Sequence, residues 1–247
     1  MQKACIIIPC YNEEDRLTIT EFKEYFNDSP LISFCFVNDG STDGTAKILN
    51  DLAWGNEEKI KVLHLDQNMG KAEAIRQAVI HCIELKHFSY IGYLDADLST
   101  PLPQISLLLN AFERSPECVM AFGSRVKLLG RVIERKAVRH YFGRVFSTFA
   151  SIVLNLAVYD TQCGAKIIKA EVVEELFTQK FISPWLFDIE LIARIRNKYG
   201  KQNCASTLIE VPLTHWLEKG DSRLKLRDLA KVPYELFRIF LYYRAKN

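Results

Sequence analysis

Long apolar runs are missing from this chain. No stretch of 18 uncharged apolar residues occurs in its 247 residues, so the sequence predicts no membrane-spanning helix. Glycine (11) and proline (8) are too scarce for a collagen-like or low-complexity chain. No Cys-x-x-Cys pair occurs. The seven cysteines stand apart at 5, 10, 35, 82, 118, 163 and 204, which argues against a zinc site or a disulfide framework and for reduced thiols in a cytosolic protein. The five histidines show no metal-ligand spacing. Neither GxxxxGK nor GxGxxG is present, which excludes a Walker loop and the dinucleotide fingerprint. Net charge is only +2, so bulk charge gives no case for a nucleic-acid partner. The N-terminus enters an apolar strand at once, without the charged segment of a secretory signal.

What is present is alternation. Apolar runs at 4–8, 31–37, 60–65, 90–94 and 118–122 read as strands. Between them, 13–25, about 43–54, 70–86 and 103–114 have helical rhythm, with Ser41, Thr42 and Asp43 as candidate N-caps. Strand–helix alternation predicts right-handed βαβ units, an α/β fold with a mostly parallel sheet, and ligands beyond the carboxyl ends of the strands. Further on, 186–199 reads as a helix and 207–213 as a strand. Residues 124–144 carry seven Lys/Arg and one acid, and 223–247 form a basic amphipathic segment with seven Lys/Arg and two acids. No linker or internal repeat divides the chain, which predicts a single domain over 1–247.

The polar clusters after Ile8, Val37 and Leu94 sit at expected strand ends, and a fourth opens the helix at 70. Asp95-Ala96-Asp97 offers two carboxylates that suit a hard divalent cation; alone, it reads equally as a solvated loop. Asn38 to Thr45 is a Gly-bearing turn into a helix, suited to capping or to close approach of a nucleotide. Lys71 opens a helix, where the dipole disfavours a cation; a phosphate ligand or a plain surface position accounts for it.

In this order the clusters resemble the inverting nucleotide-sugar transferases of the GT-A fold, and among them the dolichyl-phosphate glucose and mannose synthase group. Pro9-Cys10-Tyr11-Asn12-Glu13 matches PxYNE, and Asn38-Asp39-Gly40-Ser41-Thr42-Asp43 matches DDGSxD with Asn for the first Asp. Asn68-Met69-Gly70-Lys71 matches NxGK, Asp95-Ala96-Asp97 the metal-binding DxD, and Phe187-Asp188-Ile189-Glu190 FDxE. Asp160-Thr161-Gln162-Cys163-Gly164-Ala165-Lys166 resembles the DTQCGxK segment of the glucose branch. The resemblance covers about residues 3–235.

The resemblance implies a Rossmann-like GT-A sheet flanked by helices. Residues 1–123 would be the nucleotide half, 124–222 the acceptor half and 223–247 a C-terminal amphipathic helix. It implies a metal-dependent inverting enzyme that moves one hexose, from UDP-glucose by preference, to a polyprenyl or dolichyl phosphate. Pro9, Tyr11, Glu13 and Asp39 would line the base and ribose pocket, and Lys71 would lie near the nucleotide. Asp95 would face ribose or sugar, and Asp97 would hold Mg²⁺ or Mn²⁺, with both carboxylates in the metal site. Gln162 and Gly164 would floor the sugar site. Arg125 and Arg139 would hold the acceptor phosphate, with Lys219 and Arg223 as additions. Asp188 stands where other inverting relatives place a base, and reads equally as a helix N-cap. Cys163 is expected to pack rather than react, and Trp185 and Trp216 serve either the sugar or the core. The basic segments suit an anionic membrane surface, which would make the protein peripheral at the cytoplasmic face. The alternatives are a GDP-mannose donor, a soluble glycan or protein acceptor, or nucleotide-sugar binding without catalysis.

Overall fold

The computed structural model describes residues 3–85, 87–135, 137–219 and 226–244, with side chains left undescribed at 137–142 and 226–230. In chain order come β1 (Ala4–Cys10), α1 (Ile19–Asp28), β2 (Ile32–Asp39), α2 (Thr45–Ala53), β3 (Ile60–Leu65), α3 (Lys71–Glu84), β4 (Tyr90–Leu94) and α4 (Gln104–Arg114). There follow β5 (Met120–Ser124), β6 (Val132–Glu134), α5 (Ala137–Leu154), β7 (Ala165–Lys169), α6 (Ala170–Phe177) and α7 (Phe187–Tyr199). The chain closes with α8 (Cys204–Thr207), β8 (Leu208–Pro212), β9 (His215–Leu217) and α9 (Leu226–Arg244).

The main sheet runs β3-β2-β1-β4-β7-β5-β8, and β6 pairs with β9 beside it. β1, β2, β3 and β4 are mutually parallel, as the alternation predicts. The order reverses direction at β1, with β2 on one side and β4 on the other, so a crevice opens at their carboxyl ends. β7 runs antiparallel to both β4 and β5. The sequence reading did not include β7 or α6.

Alternate residues of each strand enter separate cores. Ile7, Cys35, Val37 and Tyr93 face α3, α6 and α7. Ile6, Ile8, Phe34 and Phe36 face α1, α2 and α4. On that second face, Phe22 of α1 meets the Phe34 and Phe36 rings edge-on at 5.4 and 5.0 Å. Cys163 is fully buried, and burial pushes its thiol up to about 11, as a packing role requires.

Two local expectations need correction. Helix α1 starts at Ile19 rather than residue 13, because the Glu13 carbonyl accepts the Arg16 and Leu17 amides and turns the chain first. None of Ser41, Thr42 and Asp43 is the N-cap of α2; Gly44 is. Ser41 is used elsewhere, its Oγ accepting the Asn12 amide at 3.0 Å; Asp43 divides its carboxylate, Oδ1 accepting the amide of Thr45, the first residue of α2, at 3.0 Å and Oδ2 that of Glu14 at 3.2 Å.

Candidate active site

Three loops converge at the carboxyl ends of β1, β2 and β4. Asp39 ends β2 and is buried; its two carboxylate oxygens accept the Met69 and Gly70 amides at 2.7 and 2.9 Å. Burial raises its pKa and those two donors oppose the rise. Asp39 thereby fixes the start of α3, whose first residue is Lys71 and which no side chain caps. Gly40, at φ +62°, lies so close to the Gln67 and Asn68 backbone that a Cβ there would overlap it.

The turn after β4 carries the carboxylate pair. Asp95 and Asp97 are each half-buried. Leu98 sits at φ +50°, a conformation costly for a branched side chain, and its amide donates to the Asp95 carbonyl at 3.2 Å. Asp97 Oδ1 accepts the Ser99 amide at 2.9 Å. Asp95 Oδ1 accepts Lys71 Nζ at 2.5 Å. Burial opposes the charge on Lys71, yet Asp95, Asp188 and Asp97 hold its pKa above the ordinary lysine value. Gly164 packs against the other side of Asp95, where a Cβ would overlap the carboxylate.

Lys166, a residue of β7, is wholly buried beneath this floor. Its Nζ donates to the Cys163 carbonyl at 2.6 Å and lies 2.6 Å from Asp188 Oδ1. Tyr93 OH donates to the same oxygen at 2.5 Å, and burial and Asp188 push that phenol well up. The cap alternative for Asp188 is therefore not met. Leu186 holds the N-cap position of α7, and Asp188 is buried in an ion pair. Sequence reading gave Lys166 and Tyr93 no role. The signal available for Lys166 was a lysine flanked by Ala165 and Ile167 in an apolar run.

On the far side, Arg125 forks onto Asp160 with Nε and one terminal nitrogen at 2.6 and 2.8 Å, and lies over the Trp216 ring at 5.3 Å. Burial opposes charge on both partners, but the pairing wins: Arg125 is raised and Asp160 lowered to about 2. The Asp160 amide in turn donates to Glu210 at 2.6 Å. Gln162 Nε2 is buried without a partner.

The other expected residues fall as follows. Pro9 and Tyr11 are half-buried at the end of β1. Glu13 is buried; its carboxylate pairs with Arg16 at 3.0 Å and its amide donates to Thr45 at 2.8 Å. Lys219 reaches the turn after β4 through its amide, 3.3 Å from Ser99 Oγ, while its ammonium lies 3.7 Å from Glu21. Arg139 lies in α5, with its side chain outside the described residues, and Arg223 lies outside them entirely. Trp216 is buried and Trp185 exposed. Among the described residues no group of three or more His, Cys, Asp or Glu gathers to hold a metal. Asp95 and Asp97 nevertheless fit a hard cation, two carboxylate donors whose remaining ligands would be phosphate oxygens and water.

The sequence signature of Glycosyl transferase family 2 matches residues 5–177, from β1 through α6, and so takes in Asp39, Lys71, Asp95, Asp97, Arg125, Asp160 and Lys166. The chain belongs to glycosyl transferase family 2. A dolichyl-phosphate beta-glucosyltransferase of Trichomonas vaginalis is 28% identical over 97% of this chain and 71% of its own length. That of Saccharomyces cerevisiae is 28% identical over 96% and 74%. The polyprenol monophosphomannose synthase of Mycolicibacterium smegmatis is 26% identical over 95% and 86%. Among solved structures, glucosyl-3-phosphoglycerate synthase from Mycobacterium tuberculosis, in complex with Mn²⁺, UDP-glucose and phosphoglyceric acid, superposes with a TM-score of 0.69. It is 15% identical, covering 98% of this chain and 79% of that one, and establishes a shared fold.

Proposed function

We propose that this family 2 glycosyltransferase moves a hexose, with glucose from UDP-glucose favoured, onto a polyprenyl phosphate with inversion at the anomeric carbon. The observation that carries the reading is the meeting of Lys71, Asp95, Asp97 and Gly164 at the strand ends, in a chain similar along its length to dolichyl-phosphate glucosyltransferases. The nucleotide belongs to the half spanning 1–123, with Pro9, Tyr11, Glu13 and Asp39 at the base and ribose. The acceptor belongs to 124–222.

Lys71 and the amide-rich start of α3 meet the diphosphate, as cations and helix N-termini do. Asp95 and Asp97 hold Mg²⁺ or Mn²⁺, which when bound offsets charge growing on the departing nucleotide. Gly164 leaves room for the Asp95 carboxylate itself, and the unpartnered amide of Gln162 supplies a donor for a sugar hydroxyl. Arg125, steadied by Asp160 and Trp216, presents its remaining donors to the acceptor phosphate, with Arg139, Lys219 and Arg223 as further cations. A phosphate acceptor is already anionic and needs no general base. Asp188, engaged by Lys166 and Tyr93, serves charge balance in this reading rather than proton removal.

A lipid acceptor places the reaction at a membrane, and we assign the protein peripherally to its cytoplasmic face. Among the described residues no helix is long and apolar enough to cross a bilayer. Helices α5 and α9 pack together and expose Val145, Phe149 and Ile152 on one and Tyr234, Phe237 and Leu241 on the other. Exposed Arg144, Lys231, Arg238 and Arg244 lie along the same helices. Each such cation near anionic lipid contributes about 1 kcal/mol.

A donor panel with a short-chain polyprenyl phosphate tests the reading. Transfer from UDP-glucose, together with thermal stabilisation by UDP plus Mn²⁺ and not by GDP, is the expected result. Transfer from GDP-mannose would move the assignment to the second reading, which rests on the likeness to the mannose synthase. Transfer to soluble glycans alone would remove the lipid acceptor. Nucleotide binding with no transfer at all would leave a binding protein.

A further inference from the structure

The cation that Asp95 holds in this structure is the chain's own. Lys71 Nζ lies 2.5 Å from Oδ1, and the Gly164 backbone crowds the carboxylate from the other side. Asp97 already spends Oδ1 on the Ser99 amide. A bare divalent ion seeks six or so oxygens. Here it would gain two carboxylates, with no third among the described residues, and would have to dislodge an ammonium in contact with one of them. The neighbouring carboxylate Asp188 gives no help, because Lys166 holds it at 2.6 Å.

A diphosphate changes that balance. It gives the ammonium a second anionic partner and brings the oxygen ligands that the carboxylate pair lacks. Lys71 is partly exposed at this point. Its side chain retains 36% exposure, and it stands at the first position of α3, where Asp39 takes the Met69 and Gly70 amides and the positive end of the helix still favours a further anion. The Phe187 ring, 5.9 Å from Nζ, is an apolar wall and offers the ammonium no competing carboxylate.

We propose that Lys71 is a resident counter-ion on Asp95, exchanged onto the diphosphate when donor binds, so that the metal enters as a nucleotide complex and not as a free ion. This rests on the function proposed above. It goes beyond placing Lys71 near the nucleotide, because it assigns the lysine opposite effects on two ligands. It opposes free metal and favours nucleotide.

Free Mn²⁺ binding is read from the electron paramagnetic resonance signal of the hydrated ion. UDP binding with and without Mn²⁺ is read by calorimetry. Both are run on the wild type, Lys71→Met and Lys71→Arg. Lys71→Met is expected to bind free Mn²⁺ at least about tenfold more tightly and UDP–Mn²⁺ about tenfold more weakly. Lys71→Arg keeps the ion pair and is expected to match the wild type toward free metal. Weaker or unchanged free-metal binding in a folded Lys71→Met overturns the proposal. Should that variant not fold, the wild type decides alone: UDP is expected to raise Mn²⁺ affinity by about a hundredfold, and independent binding overturns the proposal. Wild type that binds no UDP–Mn²⁺ at all would instead defeat the functional reading, and the counter-ion role with it.

Discussion

Lys166 carries an ammonium to a place where no solvent reaches it, and its partners are Asp188, the Cys163 carbonyl and the Tyr93 ring. Removing one member of a buried ion pair leaves the other charge uncompensated, at a cost of about 3–5 kcal/mol. Lys166→Met is expected to lose that much in urea unfolding, and Lys166→Met with Asp188→Leu to recover more than half of it. No recovery would mean that the ammonium acts chiefly through the Cys163 carbonyl. Asp160 gives a pH signature. Its pKa falls from 3.8 unfolded to about 2 folded, so its contribution is complete above the unfolded value and is lost as pH falls toward 2. The difference amounts to about 2 kcal/mol. Arg125→Met is expected to flatten that acid limb in unfolding measured between pH 5 and pH 2. At this scale the sequence exposes residues whose chemistry stands at the ends of elements, such as Asp95 after β4 and Lys71 at the start of α3. It hides the role of Lys166: the DTQCGxK-like segment ends on that residue, but only the fold shows what encloses it.

The elements that build the site are loops laced to one another rather than helices. Asn12 Oδ1 accepts the Thr42 amide at 2.9 Å and Glu14 Oε2 accepts that of Gly44 at 2.8 Å, tying the loop after β1 to the loop after β2. Asp39 ties β2 to α3 in the same way. Gly164 brings the segment before β7 against Asp95. Gly164→Ala is expected to push the Asp95 carboxylate aside, weakening UDP–Mn²⁺ by about tenfold in calorimetry. Its unfolding midpoint should shift little, since the clash meets a side chain and not the sheet. A loss of nucleotide binding matched by collapse of the midpoint would show that Gly164 serves the fold instead. The parallel strands were legible because each is a short apolar run closed by a polar turn. β7 was not, since it follows a long helical stretch and pairs antiparallel with strands far off in sequence.

At the scale of the molecule, α9 is no detached amphipathic helix. It docks Leu236, Ile239 and Tyr243 into the core shared with α5 and α7 and still exposes Tyr234, Phe237 and Leu241. A helix apolar on both sides is half a packing element and half a surface for something else. Phe149→Glu with Phe237→Glu is expected to lower co-flotation with phosphatidylserine-rich vesicles severalfold while leaving the unfolding midpoint near wild type. Wild-type flotation should weaken with added salt. Flotation unchanged by these substitutions would remove α5 and α9 from the proposed membrane contact.

The sequence alone determined the alternation of strand and helix and the order of the polar clusters. It thereby determined the α/β class, the placement of Asp39 and Asp95 at strand ends and that of Lys71 at a helix start, since apolar periodicity and turn residues act over a few positions of chain. Tertiary structure decided the partners. That Lys71 rests on Asp95, that Arg125 is bound to Asp160, and that Asp188 is sealed with Lys166 follow from which strands lie side by side. Charge pairing depends on distance in space, and no spacing along the chain encodes it.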